Sequence, residues 1–197
     1  MPGVPRLTDR RIGLLGGSFN PAHEGHLHVS REALRRLGLD EVWWLVSPQN
    51  PLKARQGMDS LERRLAAARA TGGDDPRLRI AAPELALGTR YSVDTITALR
   101  RAYPRAQFVW LMGADILPQL VRWKSWKRFF CQVPIAVFDR PGYTIRALAG
   151  VAARRFAAQR IVGNYRRLAA LPPPAWCFIR GPLDTHSATA IRAHATL

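Results

Sequence analysis

Cysteine is scarce in this chain: Cys131 and Cys177 are the only two in 197 residues, and they show no metal-ligand spacing. That argues against a disulfide framework and favours reduced thiols in a cytoplasmic protein. No apolar run approaches the roughly 18 residues of a membrane span. Met1 to Arg11 is polar and proline-containing, without the apolar centre of a signal peptide. Lysine is confined to positions 53, 124 and 127, so 27 of the 30 basic residues are arginine. Against 14 acidic residues this gives a net charge of +16, a field that attracts anionic nucleotides. Arginine and alanine richness also follows from coding bias, and no zinc-finger spacing, RNP-type run or clear helix-turn-helix supports a nucleic-acid partner. Three site signatures are missing as well. There is no G-x-x-x-x-G-K-(S/T) loop, the glycines at 13, 16 and 17 do not make G-x-G-x-x-G, and His23-Glu24 is followed by Leu27 where a zincin needs His.

What is present centres on Gly16 to His26, GGSFNPAHEGH. A short apolar run, Ile12 to Leu15, precedes it, and Leu27, Ala33, Leu34 and Leu37 follow at near-helical spacing. The context is a strand, a tight glycine turn and a helix start. Gly16 and Gly17 let backbone come close to a ligand, and a helix start aims N–H groups and a positive dipole end at an anion. His23 and His26, three residues apart, fall on one side of a helical turn. Together these features indicate a phosphate site.

The length suits one domain, residues 1–197. Apolar runs at Glu41–Ser47, Leu78–Ala82, Gln107–Met112, Pro134–Phe138 and Ala175–Ile179 predict further strands. Between them the pattern predicts helices. Asp59 with Glu62 resembles a capping box for one reaching about Ala70, Ser92 stands to cap another, and Arg146 to Arg167 reads as an arginine-rich helix with a solvated face. Strands alternating with helices indicate an α/β fold with a Rossmann-like, doubly wound parallel sheet. In such sheets ligands sit beyond the carboxyl ends of the strands.

The motif GGSFNPAHEGH resembles the GG(S/T)F(D/N)PxHxGH signature of bacterial nicotinate-mononucleotide adenylyltransferases, within the nucleotidyltransferase superfamily. About 160 residues on, Ser187-Ala188-Thr189-Ala190-Ile191-Arg192 resembles that superfamily's (S/T)-x-(S/T)-x-(I/V)-R box. Arg90 to Thr95 resembles the family's (S/P)-Y-T-x-x-T segment, Gly113-Ala114-Asp115 its G-x-D element, and Arg140-Pro141-Gly142-Tyr143 its R-P-G-(Y/F) turn. The resemblance covers residues 11 to 192. Two places depart from it: Asn50-Pro51-Leu52-Lys53 stands for P-P-H-(K/R), and His186 stands where an apolar residue usually precedes the final box.

The resemblance implies transfer of the adenylyl group of ATP, accompanied by Mg²⁺, to nicotinate mononucleotide, giving nicotinate adenine dinucleotide and pyrophosphate. No resident metal site is expected, and the lack of a long apolar run leaves no membrane partner expected. Gly16, Gly17, Ser18 and Phe19 would cradle ATP, and His23 and His26 would contact its phosphates. Ser187, Thr189 and Arg192 would form the opposite wall, with His23, His26 and Arg192 the catalytic groups. Nicotinate mononucleotide would meet Asn50, Lys53, Tyr91, Ser92, Asp115, Trp123 and Arg140, with Asp115 also reaching ATP through a ribose or the metal. Trp126 competes with Trp123 for the pyridine ring.

The chemistry is consistent with these residue types. A phosphate monoester is already largely dianionic at neutral pH, its second pKa being about 6, so no general base is required. The protein has to align the attacking oxygen and offset charge on the leaving pyrophosphate. Imidazoles and a bidentate arginine suit that task. Two alternatives stay open on the sequence: another nucleotidyltransferase, acting on phosphopantetheine or with CTP, and a non-catalytic nucleotide- or RNA-binding protein.

Overall fold

Seven strands, six of them the short apolar runs and one a two-residue strand, form one sheet in a computed structural model that describes residues 10–49 and 57–181. They are β1 Arg11–Gly17, β2 Glu41–Val46, β3 Leu78–Ala81, β4 Gln107–Gly113, β5 Ile135–Phe138, β6 Arg160–Ile161 and β7 Trp176–Ile179. Every pairing is parallel, and the order is β3-β2-β1-β4-β5-β7-β6. From β1 the chain winds outward through β2 and β3, then returns to lay β4 on the other side of β1. The strand order therefore reverses between β1 and β4, the position at which open α/β sheets bind ligands.

The helices are α1 Glu24–Leu37, α2 Leu61–Gly72, α3 Pro83–Leu87, α4 Ser92–Ala102, α5 Trp126–Phe130, α6 Thr144–Leu148 and α7 Val151–Arg155. They cover both faces of the sheet, which is why the central strands read as unbroken apolar runs. In β2 all six residues are buried. Trp43 and Leu45 join Ile12 and Leu14 in a core that includes Val93, Ile96 and Leu99 of α4 and Phe129 and Phe130 of α5. Val42, Trp44 and Val46 join Leu15 in the opposite core, with Leu27, Leu34 and Leu37 of α1 and Ala68 of α2. Burying one such aliphatic side chain contributes about 1.5–3 kcal/mol, so these two layers are the main stabilising term. Among the described residues no helix is long and apolar enough to cross a membrane.

The six predicted strands hold to within a residue or two, β6 falls where a helix was expected, and several helix readings do not hold. The cap of α2 is Ser60, whose hydroxyl accepts from Arg63 N at 3.3 Å, and not Asp59. Ser92 is the first residue of α4 and does not cap it; Tyr91 occupies the cap position in extended conformation, without a side-chain bond. The stretch 146–167 is no single helix. Ala149 ends α6, Gly150 caps α7, and the left-handed residues Gly163 and Asn164 turn the chain again after the two-residue β6. The short helix α3 had no counterpart in the sequence reading.

Candidate active site

The chain leaves β1 through Gly16 and Gly17, and at Gly16 nothing larger fits. A Cβ on Gly16 would lie 2.6 Å from Cη2 of Trp110 on β4. Phe19 follows in left-handed conformation, φ 47°, and its ring turns inward onto Trp44 at 5.2 Å. It is 2 % exposed, so its side chain belongs to the core and only its backbone can face a ligand. The Asn20–Pro21 peptide is cis.

Helix α1 then starts with an unusual cap. His23 is extended, and its Nδ1 accepts from Gly25 N at 3.1 Å; His26 Nδ1 in turn accepts from His23 N at 3.2 Å. With both Nδ1 atoms accepting, each neutral ring carries its proton on Nε2 and presents it as a donor. The ring centroids are 3.9 Å apart. His26 is further positioned by a relay from the core, in which Trp44 Nε1 donates to Ser30 Oγ and Ser30 donates to the His26 carbonyl, both at 2.8 Å. One expectation changes here. The N–H groups of Gly25 and His26 are bonded to His23, so at those two positions the helix offers an anion imidazoles and its dipole, not open amides.

On the other side of Gly16 and Gly17 opens a cleft of about 760 Å³, its mouth included. Its floor is the strand ends Gly16, Gly17, Leu45 and Ser47 with Trp110. One wall carries Glu84 of α3 and Arg90, Tyr91 and Ser92 at the start of α4; the other carries Arg122, Trp123 and Lys124. Trp123 packs edge-on against Trp110 at 6.1 Å and keeps part of its surface in the cleft. Trp126 packs on Phe156 instead and does not line the cleft. Lys124 Nζ lies 4.3 Å from the Tyr91 ring centre and 3.4 Å from Asp94.

Asp115 and Arg140 stand apart from this lining. Asp115 follows β4 and Arg140 follows β5, and they form an ion pair of 2.9 Å. The other carboxylate oxygen, Oδ1, is buried and accepts no hydrogen bond among the described residues. Asn50, Lys53, Ser187, Thr189 and Arg192 lie outside the described residues.

Sequence reasoning missed two residues of consequence. Arg64 is 2 % exposed. Its Nη1 donates to the carbonyls of Ser18 and Ser47 at 2.7 Å each, its Nη2 to Pro48 at 2.9 Å and its Nε to Asp59 at 3.0 Å. One side chain thus ties the turn after β1 to the segment after β2, and burial lowers its pKa from the ordinary arginine value. The available signal was position: 64, 68 and 72 are the buried face of α2. Glu84 accepts from Ser47 Oγ at 3.0 Å, and burial raises its carboxyl above the usual glutamate value while that bond opposes the shift. Its signal was Pro83-Glu84, a helix-start pair between the predicted strand and the predicted helix.

A glycine turn at a sheet's switch point, paired imidazole donors on one side and a cationic, aromatic cleft on the other define a nucleotidyltransferase-type site. The cytidylyltransferase-like family model matches residues 14–194, and the chain belongs to that family. Within it, the chain belongs with the nicotinate-nucleotide adenylyltransferases. It is 54% identical over 186 residues to the probable nicotinate-nucleotide adenylyltransferase of Parvibaculum lavamentivorans, covering 92% of this chain and 90% of the relative. It is 54% identical over 183 residues to that of Ruegeria pomeroyi, covering 92% and 85%. The fold matches Plasmodium falciparum nicotinic acid mononucleotide adenylyltransferase complexed with NaAD, with a TM-score of 0.68 at 13% identity, over 93% of this chain and 83% of that one.

Proposed function

We propose that this chain transfers the adenylyl group of ATP to nicotinate mononucleotide, releasing pyrophosphate and forming nicotinate adenine dinucleotide. The observation that carries the reading is convergence: the histidine turn and the cleft share Gly16 and Gly17 at the switch point of the sheet. ATP lies on the histidine side. There the Nε2–H groups of His23 and His26 meet phosphate oxygens and offset the charge that builds on the leaving pyrophosphate. The mononucleotide lies in the cleft with its ring against Trp123 and its carboxylate toward the start of α4 at Tyr91 and Ser92. Its phosphate points to the glycines and attacks the α-phosphorus in line.

Magnesium travels with ATP as part of the substrate, held by phosphate oxygens and water and by few carboxylates. Asp115, with one buried unmatched oxygen, suits such an ion or a ribose hydroxyl. Arg140 acts through Asp115. Asn50, Lys53, Ser187, Thr189 and Arg192 complete the phosphate and substrate walls on the strength of the motifs alone. The continuous sheet supports one domain spanning 1–197, and the reduced thiols support a cytoplasmic setting. Pyrophosphate release with ATP and Mg²⁺ tests this, comparing nicotinate mononucleotide, nicotinamide mononucleotide and 4′-phosphopantetheine as acceptors. Preference for the nicotinate form is expected. Turnover only with another acceptor would discard the substrate, and ATP binding without turnover would leave a binding protein.

A further inference from the structure

Among the described residues Glu84 is the single acidic side chain in the lining of the cleft, where Arg90, Arg122 and Lys124 supply the positive charge. Its place is fixed by a short chain of bonds. Ser47 Oγ donates to Glu84 Oε2 at 3.0 Å, and Ser47 N donates to Gly17 O at 2.9 Å. The carboxylate therefore stands one hydrogen-bonded residue from the glycine turn, on the wall that carries Tyr91 and across the cleft from the wall that carries Trp123.

A mononucleotide lying from that turn to that wall presents three kinds of surface. Its phosphate, at the glycines, is an anion that a neighbouring carboxylate repels. Its pyridine carboxylate, at the far wall, is another. The ribose between them is uncharged and carries two hydroxyl donors, and a carboxylate only accepts. We propose that Glu84 accepts hydrogen bonds from the ribose hydroxyls of the mononucleotide and determines the affinity of the cleft for a ribonucleotide. The proposal rests on the functional reading above. Burial holds the free carboxyl above its ordinary range, and the one Ser47 bond opposes that shift. Two O–H donors from a substrate favour the ionised form and complete its hydrogen bonding.

The test is steady-state kinetics of the full chain and its Glu84→Ala and Glu84→Gln variants at saturating ATP. The acceptors are nicotinate mononucleotide and its 2′-deoxy and 3′-deoxy analogues. Hydrogen bonds to a charged acceptor correspond to about 10- to 100-fold in affinity, so Glu84→Ala should raise KM for the mononucleotide by that factor. KM for ATP should stay within about twofold, and Glu84→Gln should fall between. The deoxy analogues should be weaker substrates for the wild type but no weaker than the parent for Glu84→Ala. That loss of discrimination is a readout a merely structural role of Glu84 would not produce. Discrimination retained by Glu84→Ala, or a KM change confined to ATP, overturns the proposal. Wild-type turnover alongside either result leaves the adenylyl-transfer reading standing; absence of wild-type turnover with this acceptor overturns both.

Discussion

Replacing Arg64 with Met probes the side chain that joins the two substrate loops. Methionine keeps the apolar bulk of the stem but leaves the carbonyls of Ser18, Ser47, Pro48 and Asp59 without the donor that now serves all four. A hydrogen bond to a charged donor contributes about 1.5–3 kcal/mol. Four such bonds are not additive, since Asp59 and Pro48 lie toward the surface and gain water when the arginine goes. A buried carbonyl left without a donor costs about 1–3 kcal/mol, so the inner pair, Ser18 and Ser47, accounts for about 2–6 kcal/mol. For a chain of this size each kcal/mol moves Tm by about 2–4 °C, so the melt should fall by about 10 °C. The same variant, assayed below both melting points, should lose turnover, because displacements near 1 Å at a reacting centre cost about 10²-fold. Arg64→Lys should sit between, its ammonium being unable to span four acceptors. The assays are thermal unfolding by circular dichroism and pyrophosphate release. An Arg64→Met protein that melts with the wild type and keeps its kcat would refute the reasoning.

The remaining predictions concern single groups. His26→Ala should cut kcat by about 10²-fold or more, the loss seen for one transition-state donor, with an unchanged far-UV spectrum; full kcat would remove His26 from the mechanism. Because the native carboxyl of Glu84 holds its proton more tightly than the ordinary value of 4.5, its contribution to stability is present at low pH. That contribution is lost as pH rises through the raised native value. Melts from about pH 4 to about pH 8 should therefore show Glu84→Gln gaining on the wild type as pH rises, and a constant difference would contradict the raised pKa. The thiol of Cys177 is pushed up to about 12 by burial, while Cys131 is exposed. A thiol reagent should label Cys131 in the native protein and reach Cys177 only after unfolding; equal labelling rates would contradict that burial.

The sheet was legible because its central strands are buried on both faces, so each is a short apolar run that periodicity cannot hide, whereas the two half-buried residues of β6 leave no such run. Trp43 and Trp44 fall into opposite cores, and either assignment gives the same strand. The histidine turn was legible because its residues are contiguous. The cleft was less so. Its aromatic and α4 residues came through resemblance, but Glu84 and Arg64 act across gaps of 37 and 46 residues to Ser47 and Ser18, and no local pattern announces a carbonyl acceptor. The helix caps were misread because capping depends on a residue's backbone angles, so neighbours such as Asp59 and Ser60 are equally good candidates on paper. The region 146–167 was misread because its alanines and arginines favour helix locally while Gly150, Gly163 and Asn164 turn the chain.

The central claim is that the phosphate of the mononucleotide is the nucleophile at the α-phosphorus of ATP, so that all of its oxygens pass into the dinucleotide and pyrophosphate leaves from ATP alone. Nicotinate mononucleotide carrying ¹⁸O in its three non-bridging phosphate oxygens tests it directly by mass spectrometry of both products. The account predicts all three heavy oxygens in the dinucleotide and none in the pyrophosphate. Heavy oxygen in the pyrophosphate, or a dinucleotide that has lost label, would contradict it.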